Sequence, residues 1–279
     1  MPAPKIHHLN CASMHPIARP LLEHRNQLAD YRGLVCHCLL IESEAGLILV
    51  DTGLGLADVT EGRSRLGSMF SHVVRPALRR EETARHQIEA LGFSANDVRH
   101  IVLTHLDVDH AGGIGDFPQA RVHVLASEYA AAQARRHIKE RDRYRPAQWA
   151  HSDDWARYEA SGERWHGFDA VRAIIDSDPD ILLVPMTGHT RGHAAIAVRA
   201  PAGWLLHAGD AYFHRDEMAD RPCCPLGLKV FENLMAVDNR DRRRNQARLR
   251  ELALGASDVS VFCSHDPVEL AHASKRTPR

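Results

Sequence analysis

The most constraining stretch of the chain reads Ile101-Val102-Leu103-Thr104-His105-Leu106-Asp107-Val108-Asp109-His110-Ala111-Gly112-Gly113. Its three apolar residues predict a buried strand, and the strand empties at once into a run of potential metal ligands. While a chain stays extended, residues two apart share a face. His105, Asp107 and Asp109 are therefore expected to converge, with Leu106 and Val108 packing backwards into the core. Gly112-Gly113 permits the sharp turn that lets His110 join them.

Three further segments have the same grammar, an apolar strand ending in His or Asp. They are Pro185-Met186-Thr187-Gly188-His189-Thr190-Arg191-Gly192-His193, Leu206-His207-Ala208-Gly209-Asp210 and Val261-Phe262-Cys263-Ser264-His265-Asp266. Strand ends set such residues along one sheet edge, where ligands usually bind in α/β folds. Histidine is also abundant, 20 in 279 residues, about three times ordinary usage.

The remaining pattern predicts short strands alternating with helices. Cys36–Ile41 and Leu47–Val50 read as a hairpin turning at Ser43–Gly46, its second strand running into Asp51-Thr52-Gly53. Leu54–Arg80 has no clear period and reads as a surface excursion. A helix is expected from Glu81 to Gly92, a second capped by Ser127 and running to Ala134, and a third from about Arg240 to Gly255. Other strands are expected at 122–124, 181–184, 194–198, 204–206 and 259–263, which suits a single α/β domain over 1–279. Arg141–Phe168 carries Tyr144, Trp149, Trp155, Tyr158, Trp165 and Phe168. It reads as a lid lining a substrate pocket, or as a satellite core or dimer contact.

Composition excludes several classes. Lys plus Arg number 35 against 36 Asp plus Glu, which gives no electrostatic footprint for nucleic acid. No apolar run approaches the roughly 18 residues that span a bilayer. The N-terminus lacks an apolar signal segment, and the six cysteines are scattered without a CxxC pair, so the expectation is a cytoplasmic protein with free thiols. His7-His8 and Cys36-His37-Cys38 look ligand-like, but strand alternation turns neighbours to opposite faces, and they are set aside. Cys223-Cys224-Pro225 reads as a turn, and the arginines of 240–250 as a solvated helix face.

Taken together, ILVDTG, THLDVDHAGG, GHTRGH, HAGD and SHD resemble, in order, the motifs of the metallo-β-lactamase superfamily, in its lactonase and glyoxalase II-like branch. The resemblance runs from Asp51 to His265. It implies a four-layer αββα sandwich with two divalent metal ions at one edge of the sheets. By that resemblance His105 and His189 hold the first ion, Asp109, His110 and His265 the second, Asp210 bridges both, and Asp51 orients the ligand histidines. Tyr212 is a candidate to reach a substrate oxygen, although related lactonases place a tyrosine one residue later, where this chain has Phe213. His193 is expected to be structural.

One position departs from the family. Asp107 stands where a second histidine is usual, giving HxDxDH, and is taken as a ligand of the first ion. Flavodiiron proteins make a similar exchange, but their flavin domain has no room here. Three carboxylates make the site less positive, and a carboxylate is harder than imidazole, so iron or manganese competes with the zinc that the family implies. The resemblance implies a metal-dependent hydrolase of a small-molecule ester, lactone or thioester, working through a hydroxide that bridges the ions and is oriented by Asp109. Neither nucleic acid nor membrane is an expected partner, and a homodimer is left open. The alternatives are a non-hydrolytic binding protein on the same scaffold and a mono-iron oxygenase acting on small thiols.

Overall fold

Apolar residues on both faces of the central strands decide the layering. In a computed structural model that describes residues 5–17, 21–24, 33–175 and 181–276, twelve strands form two mixed sheets. The first sheet, in order, holds β1 (Lys5–Met14), β2 (Leu34–Ser43), β3 (Gly46–Val50), β4 (Val98–Val102), β5 (Arg121–Leu125) and β6 (Trp155–Tyr158). The second runs from β12 (Val259–Phe262) through β11 (Gly203–His207), β10 (Ala194–Ala200), β9 (Ile181–Pro185) and β8 (Phe168–Ala173) to β7 (Glu163–Trp165).

Period-two alternation sorts side chains between the layers. Leu39, Ile41, Ile48, Val50 and Val102 face Ile181, Leu183, Ile196, Val198 and Phe262 across the gap between the sheets. Their neighbours Leu40, Leu49, Ile101 and Leu103 point outward, under helices that contribute Ile88 and Ala132. On the far side Leu249 and Leu252, from helix Asn239–Gly255, cover Val184, Ala195, Ala197 and Leu206. Burial on both faces explains the near-continuous apolar runs. The result is the expected αββα sandwich.

The β2–β3 hairpin forms as expected, with Ser43 paired to Gly46. Gly46 sits at φ 105°, and a Cβ there would lie 2.5 Å from Arg99 Cγ, so the turn needs glycine. Strand β1 escapes the sequence pattern because polar His7, His8 and Asn10 interrupt it at the sheet edge. Leu54–Arg80 is not a bare excursion: it forms three short helices, Leu56–Glu61, Arg63–Leu66 and Ser68–Val73, and buries Leu54 and Leu66. The helix after β5 starts at Ala126 with Leu125 in the capping position, so Ser127 lies inside it and caps nothing.

The aromatic segment 141–168 contributes strands as well as loops. It finishes helix Ile138–Arg143, adds helix Pro146–Trp149, and supplies β6 and β7, the last strands of their sheets. Trp149 is buried beside Tyr129, and Trp165 packs edge-on against Trp204, 5.5 Å between rings. Among the described residues no helix is long and apolar enough to cross a membrane.

Candidate metal centre

The ends of β3, β4, β9, β11 and β12 meet at one edge of the sandwich. Just beyond β3, Asp51 adopts φ 53°, a left-handed conformation that a short polar side chain tolerates. Its Oδ1 accepts the Thr104 backbone N–H at 2.8 Å. Its Oδ2 accepts the Thr104 hydroxyl and His110 Nδ1–H, each at 2.8 Å. Thr104 Oγ1 in turn lies 2.9 Å from His105 Nδ1. On the opposite side His265 Nδ1–H donates to the Val35 carbonyl at 2.7 Å. These partners fix one tautomer for each of three rings, leaving the Nε2 lone pairs free to point inward.

Two donor sets form around Asp210. Asp107 Oδ2 is 3.4 Å from His105 Nε2 and 3.1 Å from His189 Nε2, and Asp210 Oδ2 is 3.4 Å from His189 Nε2. Asp210 Oδ1 lies 3.3 Å from His110 Nε2 and 3.1 Å from His265 Nε2. Asp109 approaches His265 at 3.7 Å. All seven residues expected as ligands are thus brought together, and the four of the first set place their ligand atoms within 4.8 Å of one another. Asp109 is not aligned by strand alternation, since the chain is already helical over Val108–Ala111. One helical turn delivers it beside His110 instead.

The donor chemistry fits cations. His105 Nε2, His110 Nε2 and Asp210 Oδ1 are buried and make no hydrogen bond, a costly state for polar atoms with nothing to bind. Burial would raise the Asp210 carboxyl, but His265 and His110 hold it well below the usual range. Burial likewise opposes ionisation of Asp107, yet Arg143 and His105 hold it well below its ordinary value. At Asp109 burial prevails and pushes the carboxyl up. Asp107 and Asp109 keep the largest exposure of the seven, 6% and 8%, and so mark the open side of the centre.

His193 positions Asp210. Its Nδ1–H donates to the Met186 carbonyl at 3.0 Å, and its Nε2 accepts the Asp210 backbone N–H at 2.9 Å. Gly209, at φ 54°, lets the chain pass this ring, for a Cβ would stand 2.5 Å from His193 Nε2. Glu128 splints the ligand loops by accepting the N–H groups of Leu106 and Gly192.

Tyr212 is the one expected site residue that the structure does not bring to the cluster. It is fully buried among the residues behind the second sheet, and its hydroxyl donates to Glu269 at 2.9 Å. Phe213 faces the ligands instead, stacked on His265. Two residues escaped the sequence reading. Cys36, on β2, has its thiol within 4.8 Å of ligand atoms of Asp109 and His265. Alternation does separate it from His37, but that argument excludes only one of the two neighbours. Arg143 contacts Asp107, and no local motif announces it.

A model of the metallo-beta-lactamase superfamily matches residues 31–265, and the chain belongs to that superfamily. It is 44% identical over 267 residues to a probable metallo-hydrolase of Mycobacterium tuberculosis, covering 95% of this chain and 81% of that protein. An N-acyl homoserine lactonase of Bacillus cereus is 34% identical over 230 residues, covering 82% and 80%. Among solved structures, an N-acyl homoserine lactone hydrolase with N-hexanoyl-L-homoserine at its catalytic metal centre shares the fold. It has a TM-score of 0.70 at 21% identity, with 98% and 97% of the chains covered.

Proposed function

We propose that the protein is a dinuclear metal-dependent hydrolase that opens a small-molecule ester, with a lactone as the favoured substrate. The observation that carries this reading is the division of donors into two sets that share Asp210, with Oδ2 toward His189, Oδ1 toward His110, and His265 near both oxygens. His105, Asp107 and His189 would hold one ion, Asp109, His110 and His265 the other, and Asp210 both. Divalent cations bound there, zinc by family with iron or manganese admitted by Asp107, would supply Lewis acidity and an activated water. Asp109, on the open side, accepts a hydrogen bond from the attacking water and orients it. Water adds to the carbonyl carbon, the ring C–O bond breaks, and the products are a carboxylate and an alcohol.

The lactone preference draws on the named activity of the Bacillus cereus relative. A mono-iron oxygenase fits less well, because one ion would leave half of the donor atoms unused. The test is to load the chelated protein with zinc, manganese or iron and follow acid release from N-acyl homoserine lactones, aryl esters and a β-lactam. Lactone opening that is lost with chelator and restored by metal is the expected result. A protein carrying two ions that opens neither lactone nor ester overturns the hydrolase reading.

A further inference from the structure

Arg143 ends helix Ile138–Arg143 and is buried, with two guanidinium nitrogens hydrogen-bonded and the third in an ion pair. Nε lies 3.0 Å from Asp107 Oδ1 as an ion pair outside hydrogen-bond geometry, and that oxygen makes no hydrogen bond. Nη1 donates to the His189 carbonyl at 2.8 Å, and Nη2 to the Met235 carbonyl at 2.9 Å. The fork therefore grips the side chain of one ligand of the first set and the backbone of another. The opposite oxygen, Asp107 Oδ2, is the one turned toward His105 and His189.

We propose that Arg143 and Asp107 act together as a substitute for the missing histidine of the first metal position. The guanidinium charge stands against Oδ1 while Oδ2 faces His105 and His189, so Asp107 offers the cluster a single oxygen, as an imidazole offers a single nitrogen. It also cancels one of the three carboxylate charges in the cluster, leaving the net charge of two carboxylates, which is that of the usual ligand set. Glu128 adds no competing donor, since its two oxygens accept the backbone N–H groups of Leu106 and Gly192. The charge argument for iron or manganese, drawn from three carboxylates alone, is thereby offset, and zinc is the expected ion. Arg143 is a positioning residue, and a lysine could not replace it, having no planar fork to reach three acceptors.

This inference rests on the metal centre proposed above but not on any reaction. The test uses the full chain as wild type, Asp107→His, Arg143→Met and the double variant. Each is stripped with chelator, equilibrated with zinc and manganese together, and assayed for bound metal by mass spectrometry. Cobalt-loaded samples give visible spectra, and metal-free samples give melting curves. Arg143→Met frees Asp107 to bind through both oxygens, and its zinc-over-manganese preference is expected to fall about 10- to 100-fold, the usual cost of losing a ligand's supporting partner. Asp107→His alone strands a buried guanidinium beside the cations, so it is expected to lose zinc and to melt lower when metal-free.

The double variant removes that charge and is expected to regain wild-type zinc content. Zinc content in Asp107→His equal to that of the double variant overturns the proposal, as does an unchanged metal preference in Arg143→Met. Should Arg143→Met not fold, Arg143→Lys replaces it. Lysine is expected to keep the metal number and change the cobalt spectrum, and an unaltered spectrum overturns the proposal. A wild-type protein that binds no ion overturns the metal centre itself, which separates that failure from one confined to Arg143.

Discussion

Phe213 lies nearly parallel to His265, ring centroids 5.0 Å apart and planes inclined by 22°, and is itself backed edge-on by Phe231 at 5.5 Å. An aromatic stack thus supports His265, of the second donor set, from the protein side. Replacing Phe213 with alanine opens a cavity behind His265. The expected loss is about 3–5 kcal/mol of stability, with weakened retention of one ion rather than both. Denaturant unfolding and metal analysis check this. Wild-type stability would mean that the ring is not packed as described.

Tyr212, the next residue back, gives the opposite expectation. Its hydroxyl serves Glu269, so Tyr212→Phe should cost about 1–2 kcal/mol for a buried hydrogen-bond partner left short. Lactone or ester turnover should not change. A selective fall in kcat with stability intact would return Tyr212 to the reaction.

These two neighbours show what a sequence can and cannot convey. The clustered His and Asp side chains were legible because each lies within a few residues of a strand end, and the αββα layering because its strands are apolar on both faces. The assignment of Tyr212 failed locally. Gly209 turns the chain at positive φ just before Asp210, and past such a turn the period-two rule no longer says which side chain faces the ions. Arg143 failed for a different reason. Its partnership with Asp107 is made by the packing of helix Ile138–Arg143 against the ligand loops, a tertiary event without a local pattern. The helices of 54–80 were hidden in part by their brevity, only four to six residues each.

Asp51 supplies a sharper test of the centre. Its charge accepts three hydrogen bonds, and one of them fixes the His110 tautomer. Asp51→Asn keeps a side chain that tolerates the left-handed backbone, but turns an N–H toward His110 or Thr104. Affinity at the second metal position, where Asp51 contacts His110 directly, is expected to fall about 10- to 100-fold, with a smaller loss at the first, which Asp51 reaches only through Thr104 and His105. Stoichiometric titration against a chelator reads both steps. Two ions bound with wild-type affinity would show that Asp51 does not orient His110 for metal.

Away from the centre, His123 ties stability to acid. It is buried on β5 with its Nε2 2.9 Å from His100 Nδ1 and its Nδ1 2.7 Å from the Tyr158 hydroxyl. Burial, then His100 and Arg121, push its pKa down from 6.5 to about 3. Above about pH 6.5 the ring is neutral in both the folded and the unfolded chain, and its contribution to stability is complete. Below that value the unfolded chain takes up a proton that the folded chain refuses, so stability is lost as pH falls toward the folded pKa. His123→Gln removes the titration while keeping a polar side chain. The variant is expected to be less stable by about 1–2 kcal/mol near neutral pH, because the buried hydrogen bonds are disturbed. Its deficit should shrink by about pH 5, where the wild type alone bears the protonation cost at this position. Urea midpoints at the two pH values measure the difference, and a deficit that stays constant or grows on acidification would show that His123 is not held neutral by burial.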